Sequence, residues 1–332
     1  MDRTPVWFMR QAGRYLPEYR ALRGDRDILE TCKDPAQVVE ITMQPLIRME
    51  VDAAVLFSDI MVPLAGVGVP VRIEAGRGPV VDVPVRSPAD LARLRPLVPE
   101  QDIPEVLEAI RLLRKELRVP LIGFAGAPFT LASYLVEGGP SKQHERTKAM
   151  LFGDALAWDR LMEALTDIVV VHLLAQAEAG AQALQVFDSW VGTLGPDAYR
   201  RAVLPHMRTL FARVGEAGVP LIHFGVGTGE LLGLMAEAGG DVIGVDARTP
   251  LDVAWSRVGG PRTRGVQGNL DPTVLLAPWE AVERETLAVL EAAGGRDGHV
   301  FNLGHGVLPA TEPENLERLV DLVHGSTERV SA

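Results

Sequence analysis

With 332 residues, 47% of them hydrophobic, the chain can bury a large core, enough for one large α/β barrel or for two ordinary domains. A net charge of −11, from 33 Lys and Arg against 44 Asp and Glu, argues against a surface built for nucleic acid, because phosphate binding relies on clustered basic charge. The single cysteine, Cys32, excludes an internal disulfide framework and a cysteine-based metal cluster, and it fits a reducing cytoplasm.

The opening Met1-Asp2-Arg3-Thr4-Pro5 has neither a signal-peptide core nor a basic amphipathic presequence, and no apolar run reaches membrane-spanning length, so a soluble, untargeted protein is expected. Val6-Trp7-Phe8-Met9 is uncharged and β-compatible, which suits a strand covered on both faces, although periodicity leaves a buried helical segment open. Arg10-Gln11-Ala12-Gly13-Arg14 follows at once. A guanidinium leaving a hydrophobic strand is costly to desolvate unless it meets a carboxylate or phosphate, whose geometry its planar fork matches. Gly13 allows a turn that points Arg10 and Arg14 toward one place; two structural ion pairs with nearby carboxylates are the alternative.

Asp34-Pro35 predicts an N-cap and a helix to about residue 50. The strand Asp52 to Phe57 ends in Ser58-Asp59, where Asp59 is either a helix N-cap or a functional carboxylate. Residues 61–99 are rich in Pro, Gly and Val and suggest a β-hairpin excursion. A helix from Pro104, with the apolar stripe Val106, Leu107, Ile110, Leu113 and Leu117, leads to the strand Leu121 to Ala125. Beyond Tyr134, the stretch Glu137 to Arg146 reads as a mobile loop, and a long helix from about Asp154 stops at Gly180.

Further strands are expected at Ala183 to Phe187, Pro220 to Phe224, Asp241 to Val245, Gly265 to Gly268 and His299 to Leu303. Helices are predicted from Pro196 to near Gly218, after Thr249-Pro250, over Trp279 to Ala293, and after a capping box of Thr311 with Glu314, ending at Gly325. Eight strand candidates separated by helical patterns, with no shift in composition, predict one α/β domain over residues 1–332, a (β/α)8 TIM barrel. Arg10, Asp59, Ser189, His223, Asp246, Asn269 and His305 end these strands, and in such a barrel those ends share one rim.

His305 lies between Gly304 and Gly306, a position suited to ligand contact or proton transfer. Gly225-Val226-Gly227-Thr228-Gly229-Glu230 imitates a dinucleotide fingerprint, but Glu230 puts an anion where pyrophosphate would approach. None of Lys33, Lys115, Lys142 and Lys148 obviously ends a strand, which disfavours a Schiff-base lysine.

Two stretches, Arg10 to Glu18 and Gly123-Phe124-Ala125-Gly126-Ala127-Pro128-Phe129-Thr130, closely resemble the two signatures of the uroporphyrinogen decarboxylase family. The likeness runs from Pro5 to Asn302-Leu303-Gly304-His305-Gly306, although members of that family usually carry a further helical segment ahead of the first strand. The resemblance implies a cofactor-independent, metal-free homodimer that removes four acetate carboxylates from uroporphyrinogen, giving coproporphyrinogen in heme biosynthesis. It implies a substrate loop of Arg10, Gln11, Ala12, Gly13 and Arg14, with Asp59 holding the pyrrole NH groups and Tyr134, Ser189 and His305 completing the pocket. Asp59 is expected to stay ionised among the guanidinium groups. Zinc-dependent corrinoid methyltransferases resemble this chain too but carry a His-x-Cys motif, for which His223-Phe224-Gly225 has no thiolate. A methyltransferase and a non-catalytic tetrapyrrole binder are the rival readings.

Overall fold

The computed structural model describes residues 2–74, 76–260 and 264–328. Ala75, inside the stretch expected to form the hairpin excursion, lies outside them. Seven strands form one curled parallel sheet: β1 (Ala54–Val55), β4 (Leu121–Gly126), β5 (Ala183–Asp188), β6 (Leu221–Gly225), β7 (Val242–Gly244), β8 (Gly265–Gln267) and β9 (His299–Val300), hydrogen-bonded in that order. A separate antiparallel pair, β2 (Val71–Glu74) and β3 (Gly78–Val81), is inserted after β1. Helices join the parallel strands, as a crossover between parallel neighbours requires.

The first apolar run does not extend the sheet as a regular strand. Val6 makes a single parallel bridge to Phe301, yet its surroundings bond to both sheet edges. Phe301 N–H donates to Pro5 C=O at 2.8 Å, and Asp52 N–H donates to Val6 C=O at 2.8 Å. The Asp52 carboxylate adds a bond from Val6 N–H at 2.7 Å and also receives His324 Nε2 at 2.7 Å. Trp7, Met9, Ala53, Ile122, Ile222 and Phe224 pack together inside the curl of the sheet. Gln267 donates to Gln185 at 3.1 Å within it.

The larger core lies between sheet and helices. Pro104–Glu116 buries Val106, Leu107, Ile110 and Leu113 along one stripe, each such side chain contributing about 1.5–3 kcal/mol by leaving water. Asp34 caps Pro35–Arg48 by accepting from Gln37 N–H, and Asp154 caps Ala155–Ala179 by accepting from Ala157 N–H. No described helix is long and apolar enough to cross a membrane.

Four local expectations are corrected. Glu137 belongs to the helix Pro128–Glu137, its Oε1 accepts from Thr147 N–H and hydroxyl, and Glu145 and Arg146 open the helix Glu145–Gly153, so the loop expected over Glu137 to Arg146 spans only 138–144. The helix after Gly195 divides into Pro196–Ala202 and Leu204–Val214, because Pro205 has no N–H for a continuous ladder. The last helix, Pro313–Thr327, starts from Glu312 without a side-chain cap and runs through Gly325; the buried Thr311 hydroxyl has no partner, so the capping box does not form. His223 is mid-strand in β6 and packs against Phe211 of the neighbouring helix, away from the rim.

Candidate active site

Because the sheet is parallel, residues following β1, β4, β5, β7 and β9 emerge at one end of it. Arg10 enters the same end with φ of 63°, a left-handed conformation that a non-glycine residue adopts at a cost. The turn is braced from within by Gln11, whose side chain is wholly buried. Its Oε1 accepts from Phe8 N–H at 3.0 Å and its Nε2 donates to Ala53 C=O at 3.0 Å. Its own N–H donates to Phe8 C=O. Gln11 therefore shapes the loop and has neither amide free to face a ligand, while Ala12 and Gly13 are half-buried and Arg14 is exposed. Replacing Gln11 with Leu strands two buried backbone groups at about 1–3 kcal/mol each. Urea denaturation of Gln11→Leu should show a loss of about 2–6 kcal/mol.

Arg10 keeps accessible surface but is walled in closely. Burial is the largest influence lowering its pKa, the Arg14 charge adds to it, and Asp59 and Tyr134 oppose it. Those influences put Arg14, Asp59 and Tyr134 within electrostatic reach of Arg10, and Asp59 within reach of Tyr134. Asp59 follows β1; its Oδ1 accepts from Met61 N–H at 2.8 Å, an Asx-type turn into the next helix. Guanidinium charge does not set the direction of the Asp59 shift as expected: burial raises the carboxyl pKa against the Met61 N–H bond and the Arg10 charge, and Asp27 adds like charge.

Tyr134, on the helix after β4, has a pKa pushed up to about 12, mainly by burial, and its phenol stays protonated. Its ring meets Trp190 edge-on, with centroids 5.8 Å apart, and Trp190 in turn packs against His144 at 5.1 Å. Ser189 precedes Trp190 at the end of β5 and is half-buried. Trp190 N–H donates to the Thr130 hydroxyl, which donates to buried Asp188. Neither Trp190 nor His144 was singled out from sequence. An aromatic directly after a strand-end Ser was the available signal for Trp190.

His305 stands where two close approaches meet. A Cβ on Gly304 would lie 2.2 Å from Ala247 N, and one on Gly306 would lie 2.4 Å from Arg10 Cδ. The flanking glycines thus allow contact with the loop after β7 on one side and with Arg10 on the other. Gly306 N–H donates to His305 Nδ1 at 2.7 Å, which leaves the neutral ring's proton on Nε2. Burial, then Arg10 and Arg248, lower the His305 pKa, against Asp246. His305 is accordingly a neutral hydrogen-bond donor at pH 7 rather than a cationic acid.

The two glycines predict different failures. Gly304→Ala meets backbone that cannot yield and should cost about 3 kcal/mol or more, read as a lowered thermal midpoint. Gly306→Ala meets a flexible side chain, so folding should survive while Arg10 is displaced and turnover falls.

Cys32 is buried and its thiol pKa is pushed up to about 12, chiefly by burial, so it supplies no thiolate at neutral pH. Among the described residues, no group of three or more His, Cys, Asp or Glu side chains could hold a metal ion.

A family model described as uroporphyrinogen decarboxylase (URO-D) matches residues 1–326. The chain belongs to the uroporphyrinogen decarboxylase family. Similar curated relatives are uroporphyrinogen decarboxylases from Streptomyces avermitilis, 59% identical over 98% of this chain and 91% of that one, and Salinispora tropica, 56% identical over 99% and 88%. A third, from Thermobifida fusca, is 58% identical over 98% of this chain and 89% of the relative. Among solved structures, a methyltransferase from Methanosarcina mazei superposes with a TM-score of 0.81 at 22% identity, covering 97% of this chain and 94% of that one. A B12-independent methionine synthase from Shewanella gives 0.55 at 12% identity, covering 87% and 85%. These two likenesses concern the fold alone. Within the uroporphyrinogen decarboxylase family frame, the Arg10 loop, Asp59, Tyr134, Ser189 and His305 are the residues to test.

Proposed function

We propose that this chain decarboxylates the four acetate side chains of uroporphyrinogen to give coproporphyrinogen and carbon dioxide. The observation that carries the reading is the electrostatic grouping of Arg10, Arg14, Asp59 and Tyr134 at one end of the sheet, in a chain of this family. The protein is acidic overall, and a ligand bearing eight carboxylates needs a local basic field to enter such a molecule. Arg10 and Arg14, neither bonded by its side chain to a carboxylate among the described residues, offer that field.

Breaking the bond between the acetate methylene and its carboxylate leaves an electron pair that must go somewhere. Protonating a pyrrole carbon makes the ring a cation able to receive it. Carbon dioxide leaves, the exocyclic methylene takes a proton to become a methyl group, and the ring carbon loses the proton it gained. Asp59 is suited to the cationic stage. Burial penalises its charge, so a pyrrole NH array, and still more a pyrrole cation, relieves that penalty. The stabilisation grows as positive charge develops, which is what accelerates a reaction rather than merely binding its substrate. His305 Nε2–H and the Tyr134 hydroxyl are neutral donors for substrate carboxylates, and Ser189, at the end of β5, is a further hydroxyl on the same rim.

The same reading takes the Pro5–Met9 segment as the eighth stave of a closed (β/α)8 barrel, with β2 and β3 as an excursion from it in a single-domain chain. The bonds from that segment to both sheet edges support this closure. Cytoplasmic location, independence from cofactors and assembly as a homodimer rest on the family likeness, and sedimentation of purified protein tests the last. Anaerobic incubation with uroporphyrinogen in the dark, after treatment with chelator, should yield products stepping from eight to four carboxylates on chromatography. Unchanged octacarboxylate would reject the proposal. Zinc bound stoichiometrically to purified protein would favour a methyltransferase instead.

A further inference from the structure

We infer that Arg248 is a third guanidinium for substrate carboxylates, placed on the far side of His305 from Arg10. This rests on the reading of the site as a porphyrinogen pocket and adds a residue to it. Arg248 lies in the loop after β7, a loop shaped by buried Asp246. Asp246 Oδ2 accepts from Gly227 N–H at 2.5 Å and Oδ1 accepts from Arg248 N–H at 3.2 Å. Asn269 Nδ2 donates to Asp246 C=O at 2.8 Å and to Thr249 C=O at 2.7 Å, fixing the loop from behind. The backbone carrying Arg248 is thus held by two neighbouring segments, around Gly227 and around Asn269.

The side chain is not held in the same way. It is 76% exposed, and its nearest carboxylate, Asp246, stands 4.0 Å from Nε with both oxygens already bonded to backbone. Elsewhere on this acidic chain, exposed arginines such as Arg72, Arg95, Arg111 and Arg213 make close carboxylate bonds. Arg248 leaves its fork of donors open on a fixed loop, where charged recognition loses least to disorder.

Its position links it to the site. Gly304 packs onto Ala247, the residue before Arg248, and Gly306 packs onto the Arg10 side chain, with His305 between them. Arg10 and Arg248 both act on the His305 charge. A Cβ on Gly227 would lie 3.2 Å from Arg248 Nη1, so the guanidinium reaches over the loop after β6. A cyclic tetrapyrrole with carboxylates around its whole edge meets Arg10 and Arg14 on one side and needs a cationic contact on the other. Arg248 occupies that position near solvent, which suits a propionate: those four carboxylates remain through every step and never react.

The test is steady-state turnover of uroporphyrinogen by wild type, Arg248→Ala and Arg248→Lys at low and high salt, with thermal midpoints as the folding control. One lost charged contact should raise KM about tenfold in Arg248→Ala, the equivalent of about 1.4 kcal/mol. Its kcat should hold within about twofold, KM should become less sensitive to salt, and Arg248→Lys should recover part of the loss. Unchanged KM in Arg248→Ala, or a loss confined to kcat, overturns the assignment. Should wild type release no carbon dioxide, the proposed reaction fails, and equilibrium dialysis of the octacarboxylic porphyrinogen against the same variants still decides Arg248. Equal binding by wild type and Arg248→Ala overturns it there too.

Discussion

Asp59→Asn should lose about 10²–10³-fold or more in kcat while its thermal midpoint stays level or rises. Asparagine keeps the oxygen that accepts from Met61 N–H, so the turn into the next helix survives. It removes the charge that burial penalises. The raised carboxyl pKa means that between the ordinary value and the raised one the folded protein binds more protons than the unfolded chain. Stability therefore falls as pH rises through that window, and ionised Asp59 is a net burden above it. Asp59→Asn removes this burden, so its stability advantage over wild type should be present at neutral pH and fade on acidification toward the ordinary carboxylate range. The same shift places the acid limb of kcat/KM for wild type above the usual carboxylate range. A variant that is both inactive and less stable at neutral pH would contradict this account of the charge.

Arg10→Lys should fold normally and lose about 10²-fold or more in kcat/KM, because an ammonium keeps the charge but not the paired donors that a carboxylate meets. Arg10→Gly should lose more activity still. Its stability should remain within about 1 kcal/mol of wild type, since glycine takes φ of 63° without strain but adds freedom to the unfolded chain. Kinetics and urea midpoints on the pair separate the two roles of the position, backbone turn and guanidinium. Activity near wild type in Arg10→Lys would remove bidentate recognition from the account.

The sheet was legible because each buried parallel strand is a short apolar run closed by a polar residue and followed by a helix of clear 3.6-residue period. Asp34 and Asp154 act as the caps their positions suggest. Thr311 does not, since Pro313 already starts the helix and leaves the hydroxyl buried without a partner. His223 looked like a rim residue because it is polar near a strand end. Strand parity, set by Ile222 and Phe224 facing the inside of the curl, turns it toward the helices instead. Gln11 illustrates a second limit: a motif shows that a residue type is needed, not whether its amide faces ligand or backbone. Arg248 escaped notice because only the strand-ending Asp246 was placed at the rim, not the loop residues that follow it. Its placement depends on contact between loops 57 residues apart, Gly304 against Ala247, which no local signal records. The sign of the Asp59 shift was equally hidden, because it depends on how much water the walls exclude.

The most direct measurement is a crystal structure of the protein with coproporphyrinogen bound under anaerobic conditions. The account requires the Asp59 carboxylate within hydrogen-bond distance of the pyrrole nitrogens and Arg10 paired with a carboxylate of the same molecule. A tetrapyrrole seated elsewhere, or one whose nitrogens face away from Asp59, would contradict it.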